Sequence, residues 1–122
     1  MLDILHAVRA GIREAAGTPV HLARAPNAAT LPYVIMREVA SAPGDRAPET
    51  LATFAVDTWA ESATGAGEIA DRIHLWLDKR SVEEHGPATS IRYRRESRNV
   101  PAEPEGLYHV AEIYSALFVD AR

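Results

Sequence analysis

Histidines and acidic side chains are the residues of this chain most able to bind a metal ion or transfer a proton. Asp71 and His74 form a carboxylate and imidazole pair, three residues apart on a predicted helix. Neighbours at that spacing are commonly surface salt bridges. The five histidines lack the short spacing that places two imidazoles on one metal; they are His6, His21, His74, His85 and His109. The pattern predicts no metal site and no cofactor.

Two other motifs that could do chemistry are incomplete. Gly65-Ala66-Gly67 stands before a predicted helix, as a phosphate-binding loop would. It lacks the third glycine of a dinucleotide loop and the lysine of a P-loop. No serine has the G-x-S-x-G frame of a hydrolase nucleophile. The sequence therefore predicts no catalytic residues, and we expect a protein that is not an enzyme.

Positive charge is concentrated in one arginine cluster, formed by Arg92, Arg94, Arg95 and Arg98. In an extended strand Arg92 and Arg94 project on the same side. Single-stranded nucleic acid binding uses several aromatic side chains as stacking platforms, whereas this cluster has Tyr93 alone and Glu96 beside it. The pattern favours a solvated face or a salt-bridged contact between subunits.

Composition predicts a folded protein of one domain, residues 1–122. The chain is 47% hydrophobic and 25% charged, in the range of ordinary globular proteins. Its net charge of −4 argues against broad binding of nucleic acid phosphates. The absence of cysteine excludes disulfides and is compatible with a reducing cytoplasm. We find no signal-peptide pattern and no stretch long and apolar enough to span a bilayer.

Apolar spacing predicts two helices and four main strands. Residues 2–16 and 66–77 repeat at three and four residues, which is typical of amphipathic helices. Alternation and β-branched residues predict the strands, at 31–39, 50–60, 90–94 and 107–119. A shorter strand is indicated at 20–23. The order helix-strand-strand-helix-strand-strand predicts an α+β fold with an antiparallel, mostly four-stranded sheet and both helices packed on one face.

The last strand is apolar on both faces, and this bears most directly on function. Leu107, Ile113 and Leu117 fall on one face, while Val110 and Tyr114 fall on the other. Two helices can cover one face of the sheet, so we expect a neighbouring subunit to cover the second. The alternative is that the first helix, long loops or a curled sheet hides that face within one chain.

Several segments together resemble a known family. They are the opening helix, Leu31-Pro32-Tyr33-Val34, Val56-Asp57-Thr58-Trp59, the helix Ile69-Ala70-Asp71-Arg72-Ile73 closing in Leu77-Asp78, and Tyr108-His109-Val110. In this combination the chain is similar to the tail terminator or tail completion proteins of long-tailed bacteriophages. Related genes also occur in prophages and in phage-derived particles.

The resemblance implies a structural virion protein without cofactors. Such a subunit forms a homo-oligomeric ring, typically a hexamer, which caps the tail tube, ends tail polymerisation and provides the head–tail joining surface. Its implied partners are other copies, the tail tube protein and a neck or connector protein. Genome DNA would pass through without specific binding, and no membrane is involved. The implied location is the host cytoplasm before assembly and the tail or neck of the virion afterwards.

Other functions stay open from the sequence alone. A neck or head-completion protein on the portal side is the main alternative, and a small ligand-binding domain or enzyme is the other. For the assembly interface we expect contributions from the predicted loop at 41–49, the link at 99–105, the arginine cluster and the last strand. The expected interface residues are Asp45, Arg46, Glu49, Arg92, Arg94, Arg98, Tyr108 and Tyr114.

Overall fold

A computed structural model of the chain describes residues 2–26, 29–43, 49–78, 83–85, 88–104 and 106–120. The described part forms two helices and six strands. In chain order they are α1 (Leu2–Ala16), β1 (Val20–Leu22), β2 (Tyr33–Pro43), β3 (Glu49–Ala60), α2 (Ala63–Asp78), β4 (Glu83–His85), β5 (Ala88–Asn99) and β6 (Tyr108–Asp120).

All six strands belong to one sheet with the spatial order β1-β2-β3-β6-β5-β4. The four long strands at its centre are antiparallel neighbours. β1, however, runs parallel to β2, so the expectation of an antiparallel sheet is wrong and the sheet is mixed. The connection between Leu22 and Tyr33 returns the chain to the end of the sheet from which β1 started, and both strands therefore run in the same direction.

The long strands extend further than their sequence patterns indicate. β2 continues to Pro43 and β3 begins at Glu49, so the predicted loop at 41–49 is strand at both ends. Its residues 44–48 lie outside the described part. β5 continues to Asn99 with register shifts at Ser90/Arg92 and Arg95/Ser97. Such bulges admit an extra residue on one strand, and the pairing resumes beyond them, which explains why simple alternation underestimates this strand.

Local hydrogen bonds cap the C-terminus of α1 and the N-terminus of α2. Gly17 follows α1 with a φ of 68°, and its N–H donates to the carbonyl oxygen of Arg13 at 3.0 Å. This left-handed position at the end of a helix suits glycine. At the start of α2 the Ser62 hydroxyl accepts the N–H of Gly65 at 2.9 Å, as an N-cap does. With that cap α2 begins at Ala63, three residues before its predicted start.

The core lies between the helices and one face of the sheet. α1 contributes Val8 and Ile12, and α2 contributes Ile73 and Leu77, all at 0% exposure. On the sheet the rings of Phe54 and its neighbours fill the centre, at centroid distances of 5.9 Å to Tyr114 and 6.3 Å to Tyr93. Both helices thus pack against the same face, as predicted.

Candidate assembly surface

The second face of the sheet, here called the open face, has neither helix packed against it. Inward residues of β3 and β6 are even-numbered, and those at 52–60 and 110–116 are buried, including Phe54, Val56 and Val110. Outward residues are odd-numbered, and apart from Ala55 those described are partly or well exposed. Ala55 itself is 1% exposed and lies between its cross-strand neighbours Arg37 and Ile113. In the described part of the chain, one face of the sheet is therefore covered and the other is not.

In one half of the open face the side chains contact one another, and we call this group the aromatic–polar cluster. Trp59 and His109 are cross-strand partners whose rings stack at 3.7 Å with an interplanar angle of 12°. Nε2 of His109 lies 2.8 Å from Oδ1 of Asp57, and Nδ1 lies 3.4 Å from Oε1 of Glu103. Glu103 thereby fastens the connection between β5 and β6 to the sheet. Arg37 adds an ion pair to Asp57 at 3.9 Å.

The other half of the open face remains accessible and is here called the exposed patch. It surrounds a groove of about 400 Å³ between β3, β6 and β5. Leu51 is 46% exposed at its rim. Arg94 lies 3.7 Å from Glu96, whose carboxylate also accepts a 2.6 Å hydrogen bond from the Ser115 hydroxyl. An apolar side chain framed by exposed charged groups is typical of a protein contact surface. The groove is lined by Leu51, Thr53, Arg94, Glu96, Ser115, Ala116 and Leu117.

The inward face carries a buried charge next to α2. Glu112 is 0% exposed, and Nη1 of Arg95 donates to its Oε2 at 3.1 Å. Burial raises the pKa of Glu112, and the hydrogen bond from Arg95 acts in the opposite direction. Burial likewise raises the pKa of Tyr114. A polar residue on an otherwise apolar strand face is the signal by which the sequence could have indicated this network.

Asp71 and His74 do not form the surface salt bridge that is common at their spacing, because each contacts a different residue. Asp71 accepts a hydrogen bond from Nη1 of Arg98 at 2.6 Å. Nδ1 of His74 instead lies 3.3 Å from the hydroxyl of Tyr114. Each side chain therefore joins α2 to a different strand of the sheet. Within the described residues no group of three or more acidic, histidine or cysteine side chains could hold a metal ion.

The expected interface residues differ in their exposure and in their contacts. Arg94 belongs to the exposed patch and Tyr108 is 39% exposed, so both are accessible. Arg98 instead joins β5 to α2 by its bond to Asp71. Tyr114 is 1% exposed, and its inclusion as a surface contact is wrong because its even position in β6 places it in the core.

Four further expected residues have no described side chain. Glu49 begins β3 and Arg92 lies within β5. Asp45 and Arg46 lie outside the described residues. Trp59 lies on the open face and is not among the expected residues. Its odd position in β3, opposite in parity to Phe54, is the signal that separates it from the core.

The described residues thus form a sheet that helices cover on one face and that is accessible on the other. None of the helices in the described part is long and apolar enough to cross a membrane. The sequence matches the family model of the Tail completion protein gp17 over residues 3–118. The chain belongs to this family, which confirms the resemblance to phage tail completion proteins. It is a structural tail protein and not an enzyme.

Comparison with solved structures shows a similar fold. The fold is similar to a chain in a structure described as the virion of a native gene transfer agent particle, with a TM-score of 0.72 and 14% sequence identity. The match covers 94% of this chain and 96% of that one. At this identity the likeness shows a shared fold. No curated protein matches the sequence.

Proposed function

We propose that the protein forms a ring that caps the tail tube, ends tail polymerisation and provides the surface on which the head is joined. Family membership supports a structural role in the tail. The similar chain belongs to a virion particle, which supports a place in an assembled particle for this protein as well. A ring of about six copies is the arrangement that the family resemblance favours. Its partners would be other copies, the tail tube protein and a neck or connector protein.

The observation that carries the proposal is the uncovered open face. A sheet packed on one side buries its inner residues within the chain, as Phe54 and Val56 show. The exposed patch keeps Leu51 in solvent together with the groove beside it. We propose that this patch, with Arg94 at its rim, contacts a neighbouring virion protein. Burial of the patch would stabilise that contact by roughly 25 cal/mol for each Å² of apolar surface removed from water.

Charge substitution at two exposed leucines tests the patch. Leu51 is 46% exposed on the open face, whereas Leu75 is 56% exposed on the outer side of α2. Leu51→Asp and Leu75→Asp therefore make the same change at similar exposure on opposite sides of the molecule. Because neither leucine is in the core, we expect both variants to fold.

Electron microscopy of particles assembled with each variant provides the measurement. Leu51→Asp should give overlong or unjoined tails beside filled heads, and Leu75→Asp should give normal particles. Normal tails with Leu51→Asp would contradict the role of the patch. Leaking heads with tails of normal length would instead indicate a neck or head-completion protein on the portal side.

A further inference from the structure

The segment between β5 and β6, residues 100–107, is here called the β5–β6 link. Its residues 100–102 and 104 are exposed, and Val100 is 69% exposed. Glu103 lies among them but is partly buried, with its side chain 22% exposed. Its carboxylate oxygen Oε1 lies 3.4 Å from Nδ1 of His109. In the described part of the link, Glu103 is therefore the side chain that attaches this segment to the open face of the sheet.

The His109 imidazole lies between two carboxylates. Nε2 lies 2.8 Å from Oδ1 of Asp57, and Nδ1 faces Glu103. The His109 side chain is 12% exposed, and its ring is stacked on Trp59. A neutral imidazole has one N–H and one acceptor nitrogen, whereas an imidazolium has two N–H groups. Both contacts can therefore be hydrogen bonds to ionised carboxylates only when His109 carries its second proton.

Loss of that proton affects the two contacts unequally. Asp57 lies within β3 and is paired on both sides, with Ile35 and Ala111. It gives the shorter contact with His109, so the remaining proton stays on Nε2 and donates to Asp57. Nδ1 then presents its lone pair to the carboxylate of Glu103, and two acceptors that face each other repel. Because Glu103 lies in an exposed segment, it is the group that can move away.

Few ionisable groups surround this imidazole. Asp57 comes from β3 and Glu103 from the link, and in the described part of the chain these are the acidic side chains within hydrogen-bonding distance of the ring. Arg37, from β2, lies on the far side of Asp57 at 3.9 Å. Tyr33 is the cross-strand partner of Trp59 on β2. The link contact therefore depends on the protonation of His109 and of Glu103 itself.

We infer that protonation of His109 controls the attachment of the β5–β6 link to the open face. The imidazolium holds Glu103 against the sheet, and loss of the second proton releases the link. Release removes Glu103 from the aromatic–polar cluster, so that this half of the open face becomes accessible in addition to the exposed patch. The inference concerns the single chain and does not depend on the proposed ring.

A spin label on the link measures its attachment. Since the chain has no cysteine, Ala102→Cys provides a single labelling site at an exposed position next to Glu103. Electron paramagnetic resonance spectra of the full chain are recorded at about pH 5 and about pH 8, the limits of the imidazole range. We expect restricted label motion at the lower pH and faster motion at the higher pH. Leu75→Cys, labelled on α2, is the control and should give the same spectrum at both.

Two substitutions of Glu103 separate this contact from other effects of pH. Glu103→Gln places an amide beside Nδ1, which can accept from the N–H of the imidazolium or donate to the neutral ring. Label motion in that variant should be restricted at both pH values. Glu103→Ala removes the contact and should give fast motion at both. The other histidines titrate in both variants, so a difference between them reports on the contact between Glu103 and His109.

Equal label motion at the two pH values in the chain with Glu103 would overturn the inference. So would a Glu103→Gln variant that keeps the full pH response. Thermal unfolding should show that both variants fold, because Glu103 lies in an exposed link outside the core; the comparison in the chain with Glu103 needs neither of them. The proposed function would stand if the inference failed, because the Leu51→Asp test concerns the exposed patch and not the link.

Discussion

Replacement of glycine by alanine should have opposite effects on stability at two helical positions. Gly11 lies in α1 and Gly67 in α2. A Cβ added at Gly11 would overlap two ring atoms of Trp76, whereas a Cβ at Gly67 would have no atom within 4 Å. Gly11 therefore allows α1 to approach Trp76 closely, and Gly67 has no such role.

The expected energies follow from two opposing effects. Alanine stabilises a helix interior by about 1 kcal/mol relative to glycine. At Gly67 nothing opposes this gain, so Gly67→Ala should raise the free energy of unfolding by about 0.5–1 kcal/mol. At Gly11 the overlap forces the Trp76 ring to move, and overpacking of this kind costs about 1–3 kcal/mol. Because the propensity gain is common to both variants, Gly11→Ala should be less stable than Gly67→Ala by about 1–3 kcal/mol.

Chemical denaturation of both variants measures this difference directly. Replacement of Trp76 by leucine in the Gly11→Ala background removes the clashing ring atoms and should abolish most of the additional cost of the alanine. Equal stability of Gly11→Ala and Gly67→Ala would refute the packing of α1 against Trp76. So would a clear increase in the stability of Gly11→Ala over the unchanged chain.

The remaining predictions concern the core. Arg95→Ala leaves the buried carboxylate of Glu112 without its ion pair and should lower the free energy of unfolding by about 3 kcal/mol, measured by denaturation. The pKa of Glu112 is higher in the folded protein than in the unfolded chain. The stabilisation that comes from protonated Glu112 is therefore complete below the ordinary pKa of glutamate and is lost as the pH rises through the folded-state pKa. Glu112→Gln should remove this pH-dependent decrease in the free energy of unfolding. Denaturation experiments that give the same pH profile for the variant and the unchanged chain would contradict this prediction. Ile73→Asp places a carboxylate at a fully buried position and should abolish the cooperative melting transition.

Much of the fold could be predicted because its helices and main strands have strong local patterns. α1 was predicted at its observed bounds, since Val8 and Ile12 fall on one helical stripe. The parallel pairing of β1 could not be predicted, because it depends on the path of the connection before Tyr33 rather than on any local pattern. The bulge at Arg95/Ser97 similarly concealed the second half of β5.

The candidate site was predictable in outline but not in its residues. The two-sided apolar character of β6 indicated a face that the helices do not cover, and the open face has that position. Which residues remain accessible depends on side chains that meet only in the folded sheet. The stacking of Trp59 on His109 and the bond from His109 to Asp57 close half of that face. The same alternation that made Tyr114 one of the expected contacts places it beneath α2.

The central claim is that the open face is covered only in the assembled particle, and cysteine accessibility tests it most directly. Since the chain has no cysteine, Leu51→Cys and Leu75→Cys each provide a single reactive thiol. The measurement is the rate of alkylation in the free protein and in purified particles. We predict that assembly slows the reaction at position 51 strongly and leaves the reaction at position 75 fast. Equal reactivity of position 51 in the free protein and in the particle would contradict the account.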